Sequence, residues 1–102
     1  EQAHVSAADK RGKLALLAAP AGESGAVEIH QDARLYATVL DGAEAVTYPL
    51  APGRRAYVHV ARGEVTANGQ RLAAGDALRI EGDAAVRLDT GNGAEVLLFD
   101  LP

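Results

Sequence analysis

The chain is predicted to fold as an all-β barrel or sandwich, on three observations. Short strand-like segments follow one another along its length, separated by turn residues rather than by helical stretches. Asn68-Gly69 stands between two of them, and Asn-Gly is the strongest short-range hairpin signal because both central turn positions take positive φ. Helix has little room, since Pro20, Gly22 and Gly25 interrupt the Ala-rich stretch around Leu14–Ala21.

The elements follow in order. Val5–Gly12 reads as one polar turn, with Ser6 as its cap and Asp9 three residues on. Strands are expected at Lys13–Ala19 and Ala26–His30, and Arg34–Leu40 runs to the turn Asp41-Gly42. Glu44–Leu50 stops at Ala51-Pro52-Gly53, and Arg54–Ala61 follows it. Glu64–Ala67 and Gln70–Leu72 flank the Asn-Gly hairpin. Gly75-Asp76, with Asp76 capping the turn, leads into Ala77–Ile80. Gly82-Asp83 introduces Ala85–Leu88, and Thr90-Gly91-Asn92-Gly93 separates that strand from Glu95–Leu101. Alternation assigns faces in Arg54–Arg62: Ala56, Val58 and Val60 point inward, while Arg55, Tyr57, His59 and Ala61 face solvent or a partner.

A length of 102 residues suits one domain spanning 1–102. Its core must come from Val, Leu, Ile and Ala, because the chain holds three Tyr, one Phe and no Trp or Met. The absence of cysteine excludes disulfides, thiolate metal sites and cysteine nucleophiles, and fits a cytoplasmic location. A net charge of −4 with no basic stripe gives nucleic-acid binding no support. No apolar run approaches the ~20 residues of a membrane helix, and no secretory signal pattern is read. An opening Glu1-Gln2, with no Met, is expected to mark a boundary within a longer protein.

Gly63, the following strand, Asn68-Gly69, Leu72, Gly75-Asp76 and the apolar strand to Ile80 resemble the cupin barrel, a jelly-roll-like β-barrel. Taken with Ile29-His30-Gln31-Asp32-Ala33, Tyr36, Gly53-Arg54-Arg55-Ala56-Tyr57-Val58 and the closing Glu95–Pro102, nearly the whole chain is similar to one family's C-terminal domain. That family is the bacterial pirin-like proteins, two-cupin proteins often called quercetin 2,3-dioxygenases. The resemblance implies a partner: a metal-bearing N-terminal cupin in the same protein, or failing that, self-association. It also places the metal motifs. Counting back from Gly63, the glutamate ligand falls at Ala56 and the His-x-His pair at Leu50 and Pro52, or at Pro49 and Ala51. Counting from Gly75, the second histidine falls at Val86. Alkyl groups offer no lone pair to a divalent ion, and His59 is the one donor side chain in Pro49–Val60. No metal and no cofactor are therefore expected in this domain, and its interior is expected to be hydrocarbon.

Other candidates are weighed against plainer readings. Arg55, Tyr57 and His59 form either a small ligand site or an exposed strand face covered by a partner. Arg54-Arg55 suits an anion, but a solvated turn or an ion pair to an adjoining domain is favoured. His30 and Asp32 lack a third donor, so Asp32 is read as an Asx turn. His4 lies near the chain's start. No phosphate-loop or serine-nucleophile pattern occurs. The expected function is thus a metal-free, non-catalytic domain packing against and supporting an N-terminal cupin. The alternative is a metal-free module binding a flavonoid-like or sugar-like molecule. A dioxygenase residing in this chain alone is disfavoured, because oxygen chemistry on a polyphenol needs a redox metal or comparable cofactor.

Overall fold

Every regular element among the described residues is a strand. The computed structural model describes residues 12, 14–20, 27–29, 33–82 and 84–102. The candidate turn at residues 5–11, the loop at 22–25, and His4, His30 and Asp32 lie outside them. The strands are β1 (Ala15–Pro20), β2 (Val27–Ile29), β3 (Arg34–Leu40), β4 (Val46–Pro49), β5 (Arg55–Ala67), β6 (Gln70–Ala73), β7 (Ala77–Glu81) and β8 (Ala85–Leu101). They form one sheet in the order β2-β1-β3-β8-β5-β6, with β4 also on β8 and β7 also on β5. All pairings are antiparallel except β1 with β2.

Two long strands organise the rest. β8 carries 17 residues and β5 carries 13, and they pair from Arg55↔Leu101 to Ala67↔Leu88. The other edge of β8 takes β4 on its first half and β3 on its second. The other edge of β5 takes β7 and then β6. One pair of strands thus serves two layers. Ala56, Val58, Val60, Val96 and Leu98 from one layer share a single buried cluster with Val65, Ala67, Leu72, Val86 and Leu88 from the other. The expected all-β class is the observed one.

The junction between layers departs from the sequence expectation. Arg54–Ala61 and Glu64–Ala67 are parts of one strand, and Thr90–Gly93 is no turn but the middle of β8. The register shifts between Val60 and Arg62, again between Arg62 and Glu64, and again between Glu64 and Thr66. Extra residues of this kind bend a strand and switch which residues face inward. In β5 the buried set passes from even positions (56, 58, 60) to odd ones (65, 67). Gly63, at φ +69, lies against the backbone of Asn92 and Gly93, where a Cβ would collide with both carbonyl oxygens. The bend is tied down from outside, since Asp41 Oδ1 accepts the Gly93 N–H at 3.0 Å and Gly42 N–H donates to the Gly91 carbonyl at 2.9 Å.

Other turn chemistry is as expected. Asn68 (φ 45) and Gly69 (φ 84) make the β5–β6 hairpin. The Asn68 side chain also fastens that hairpin to β8, accepting from Arg87 N–H at 2.7 Å and donating to the Ala85 carbonyl at 3.1 Å. Asp76 Oδ2 accepts the Ala73 N–H at 2.9 Å, closing the turn before β7. The inward set Ala56, Val58 and Val60 is fully buried, while Arg55, Tyr57 and Ala61 are exposed and His59 is half-buried.

Gly63→Ala should cost about 3 kcal/mol or more, because left-handed strain and a backbone collision combine. Gly69→Ala, where the space is open and only the φ is unfavourable, should cost about 1 kcal/mol. Urea midpoints of the two variants check the difference.

Candidate functional site

The inward and outward sides of β5 present two different sites. On the inward side, one end of the barrel is polar. Asp100 on β8 stands opposite Ala56 on β5, and only 3% of it is exposed. Its carboxylate accepts from Arg54 Nε at 2.6 Å and, through the other oxygen, from the Tyr48 hydroxyl. Arg54 Nη2 also donates to the Asp100 main-chain carbonyl at 3.4 Å. Tyr48 packs on Tyr36 with ring centroids 4.9 Å apart and planes tilted by 54°. Burial pushes the Tyr48 phenol well above its usual range, and its bonds to Asp100 and Tyr36 push the same way.

This cluster corrects two expectations. The interior is not wholly hydrocarbon, and Arg54 is neither a solvated turn residue nor set aside for another domain, because its ion pair is with Asp100 of the same chain. Above it opens a cavity of about 480 Å³, lined by Leu50, Pro52, Arg54 and Ala84 among others. Sequence reasoning missed Asp100, Tyr48 and Tyr36. The available signal was Asp100 itself, a carboxylate that continues the alternate apolar positions Ala94, Val96 and Leu98.

The donor set of this end does not fit a divalent cation. Ala56 and Val86 are fully buried, Leu50 is nearly so, and Pro52 lines the mouth. Tyr48 stands opposite Val86, as Asp100 stands opposite Ala56. The one carboxylate among them is engaged by a guanidinium, which opposes a second cation by charge. Among the described residues no group of three or more His, Asp or Glu is placed to hold an ion.

The outward side carries Arg55, Tyr57 and His59 together, as alternation requires. Tyr57 lies between Phe99 on β8 and Arg79 on β7, and Phe99 in turn pairs with Leu35 on β3. His59 lies between Leu97 and Ala77, and Arg55 between Leu101 and Glu81. Tyr57 meets Phe99 edge-on, with centroids 6.1 Å apart. Arg55 donates to the Pro102 carbonyl from Nε at 3.2 Å and Nη2 at 3.0 Å. The hollow beside Tyr57 holds about 220 Å³, lined by Arg55, Ala56, Tyr57, Arg79 and Leu101. This is a broad sheet face, not a cleft. Its signal was the unbroken apolar run Val96-Leu97-Leu98-Phe99, which suits a strand covered on both sides.

Comparison with known proteins agrees with this architecture. Residues 16–101 match the family model described as the quercetinase C-terminal cupin domain. The chain is 36% identical over 87 residues to the quercetin 2,3-dioxygenase of Escherichia coli K12, covering 85% of this chain and 38% of that protein. A pirin-like protein of Caulobacter vibrioides is 34% identical over 93 residues, covering 90% of this chain and 40% of that one. Among solved structures, YhhW from Escherichia coli superposes with a TM-score of 0.88 at 30% identity, covering 100% of this chain and 42% of YhhW. Bacterial pirin YhhW in complex with nickel(II) superposes with a TM-score of 0.84 at 35% identity, covering 87% of this chain and 39% of that one. The chain spans about two-fifths of the length of the curated relatives it matches.

Asp100→Asn keeps the shape but removes the buried charge that faces the Arg54 guanidinium at 2.6 Å, and should cost ~3 kcal/mol. The double variant Arg54→Met/Asp100→Leu should cost less than that single change, since both members of the buried pair are then replaced by apolar groups. Denaturant unfolding of the two checks the order. The raised Tyr48 pKa also has a pH signature. The folded state retains the phenol proton where the unfolded chain, titrating near 10, has lost it. The stabilisation from Tyr48 is therefore complete below about pH 10 and fades above it. The penalty of Tyr48→Phe, measured by urea midpoints, should shrink between pH 8 and pH 11.

Proposed function

The chain belongs to the quercetinase C-terminal cupin family, and from that membership we propose that it is the metal-free, non-catalytic half of a two-cupin protein. It packs against and supports an N-terminal cupin that carries the metal and the chemistry. One observation carries the reading: where the cupin motif calls for a glutamate ligand the chain has buried Ala56, and the nearest carboxylate, Asp100, is engaged by Arg54 and Tyr48. For the whole protein we propose the reaction that names its Escherichia coli relative, dioxygenation of a quercetin-type polyphenol. A cytoplasmic location belongs to the same reading. It is supported by the lack of cysteine, and no helix of the described residues is long and apolar enough to cross a membrane.

The mouth above Arg54 supports a second reading, a pocket for a flavonoid-like or sugar-like molecule, because about 480 Å³ falls within the range of small-molecule sites. Arg55, Tyr57 and His59 lie on the outward face, and a ligand there would have only the shallow hollow beside Tyr57.

Elemental analysis of the purified chain tests the first reading. After dialysis, iron, nickel, zinc and copper should all be far below one equivalent; a near-stoichiometric content of any of them overturns it. Thermal unfolding with aromatic polyols tests the second. No shift is expected, whereas stabilisation abolished by Arg55→Ala or Tyr57→Ala would place the ligand on the outward face, and stabilisation that survives both would point to the mouth.

A further inference from the structure

We propose that Asn92 is a site of spontaneous covalent modification, losing its side-chain amide by attack of the Gly93 nitrogen, and that the fold spares the other asparagine, Asn68. The chain holds two asparagines, and each precedes a glycine. Asn-Gly is the pair most open to this chemistry, because glycine has no Cβ to hinder the approach of its own nitrogen. From the sequence the two sites are equivalent. The structure separates them.

At Asn68 both ends of the side-chain amide are held. Oδ1 accepts the Arg87 N–H at 2.7 Å, and Nδ2 donates to the Ala85 carbonyl at 3.1 Å. The Asn68 main-chain N–H adds a third tie, to the Arg87 carbonyl at 2.9 Å. To reach the Gly69 nitrogen, the amide must give up its bonds to β8 and leave the hairpin it fastens.

Asn92 is placed otherwise. It is exposed, and its side-chain amide makes no hydrogen bond among the described residues. The Gly93 N–H donates to Asp41 Oδ1 at 3.0 Å, so the proton that this nitrogen must shed already faces a carboxylate. The surrounding stretch is irregular strand. Thr90 lies at φ 51, uncommon for a β-branched residue, and Gly93 at φ 56. Backbone held in sparsely populated regions opens locally at lower cost than a regular ladder.

The reaction needs water and no other reagent. The Gly93 nitrogen bonds to Asn92 Cγ while its proton passes, through Asp41 or solvent, to the departing Nδ2. The Cγ–Nδ2 bond breaks, ammonia leaves, and a succinimide remains. Water attacking at Cγ then gives aspartate, whereas water attacking the Asn92 main-chain carbonyl carbon gives isoaspartate, with the chain routed through the side chain. Isoaspartate lengthens the main chain by a methylene where the Asn92 and Gly93 carbonyls lie against Gly63 with no room for a Cβ. Both products set a new carboxylate at the position paired with Glu64. Conversion therefore loosens the crossing of β5 and β8.

The complete protein is incubated in mildly alkaline buffer and digested with trypsin, which places Asn68 in peptide 63–71 and Asn92 in the peptide that opens at residue 88. Mass spectrometry reads the share of each that has exchanged amide for acid. In the folded protein Asn92 is expected to convert about tenfold or more faster than Asn68, and in urea the two rates should agree within about twofold. Isoaspartate, resolved from aspartate by chromatography, is expected among the Asn92 products. No conversion at Asn92, or conversion at Asn68 as fast or faster in the folded protein, overturns the inference. A gap that persists in urea also overturns it, since the fold then does not choose the site. Aspartate as the sole product overturns the route through the Gly93 nitrogen. Converted protein, separated by ion exchange, should unfold at lower urea than unconverted protein, and an unchanged midpoint refutes the link to the crossing.

Discussion

A backbone crossing governs this fold. Where β5 and β8 bend, the Cα of Gly63 lies so close to the Asn92 and Gly93 carbonyls that no side chain fits between them. Gly91 meets the Leu40 carbonyl in the same manner, and a Cβ there would approach its oxygen to 2.5 Å. Without these contacts, two strands of 13 and 17 residues would lie in one twisted ribbon rather than fold over a common core. With them, each strand serves two layers, and a chain with little aromatic content encloses a core of Val, Leu, Ile and Ala. The register shifts at the crossing then decide which residues enter the barrel on either side.

The crossing also determines what the far end of the barrel must accommodate. Pairing from Val60↔Val96 outward brings Asp100 opposite Ala56, pointing into the interior. A buried carboxylate is costly unless it is paired and hydrogen-bonded. Arg54 supplies the charge from the turn before β5, and Tyr48 supplies a hydroxyl from β4. The cluster fixes where the Pro52-Gly53 turn and the end of β8 sit relative to each other, so it locks the mouth of the barrel. Each oxygen of the Asp100 carboxylate thereby has a partner within this chain.

Much of this was legible in the sequence, and the parts that were not have physical reasons. Asn68-Gly69 and Asp76 announce their turns because local backbone geometry alone demands those residues. The faces of Arg54–Ala61 follow from period-two alternation. Thr90-Gly91-Asn92-Gly93 misleads because glycine and asparagine serve a turn and a bend equally well. Only the partner strand, whose Gly63 packs on the Asn92 and Gly93 backbone, distinguishes them. The Arg54–Asp100–Tyr48 cluster was hidden for a similar reason. Its members are separated by 46 and 52 residues, and no local pattern links them. Nothing in the sequence around Ala56 and Val86 announces that Asp100 and Tyr48 stand opposite them.

The two faces of β5 therefore carry complementary information about what such a domain is for. With Ala56 and Val86 fully buried, the interior is a close-packed core that holds the sheet to one shape. Phe99 and Leu98 are neighbours on one strand, yet Leu98 belongs to the core while Phe99 extends the sheet's apolar character outward. Any shift of Leu98 would be passed directly to Phe99 and Tyr57 through the pairing of Tyr57 with Phe99. Inward packing thus sets the contour of the outward face.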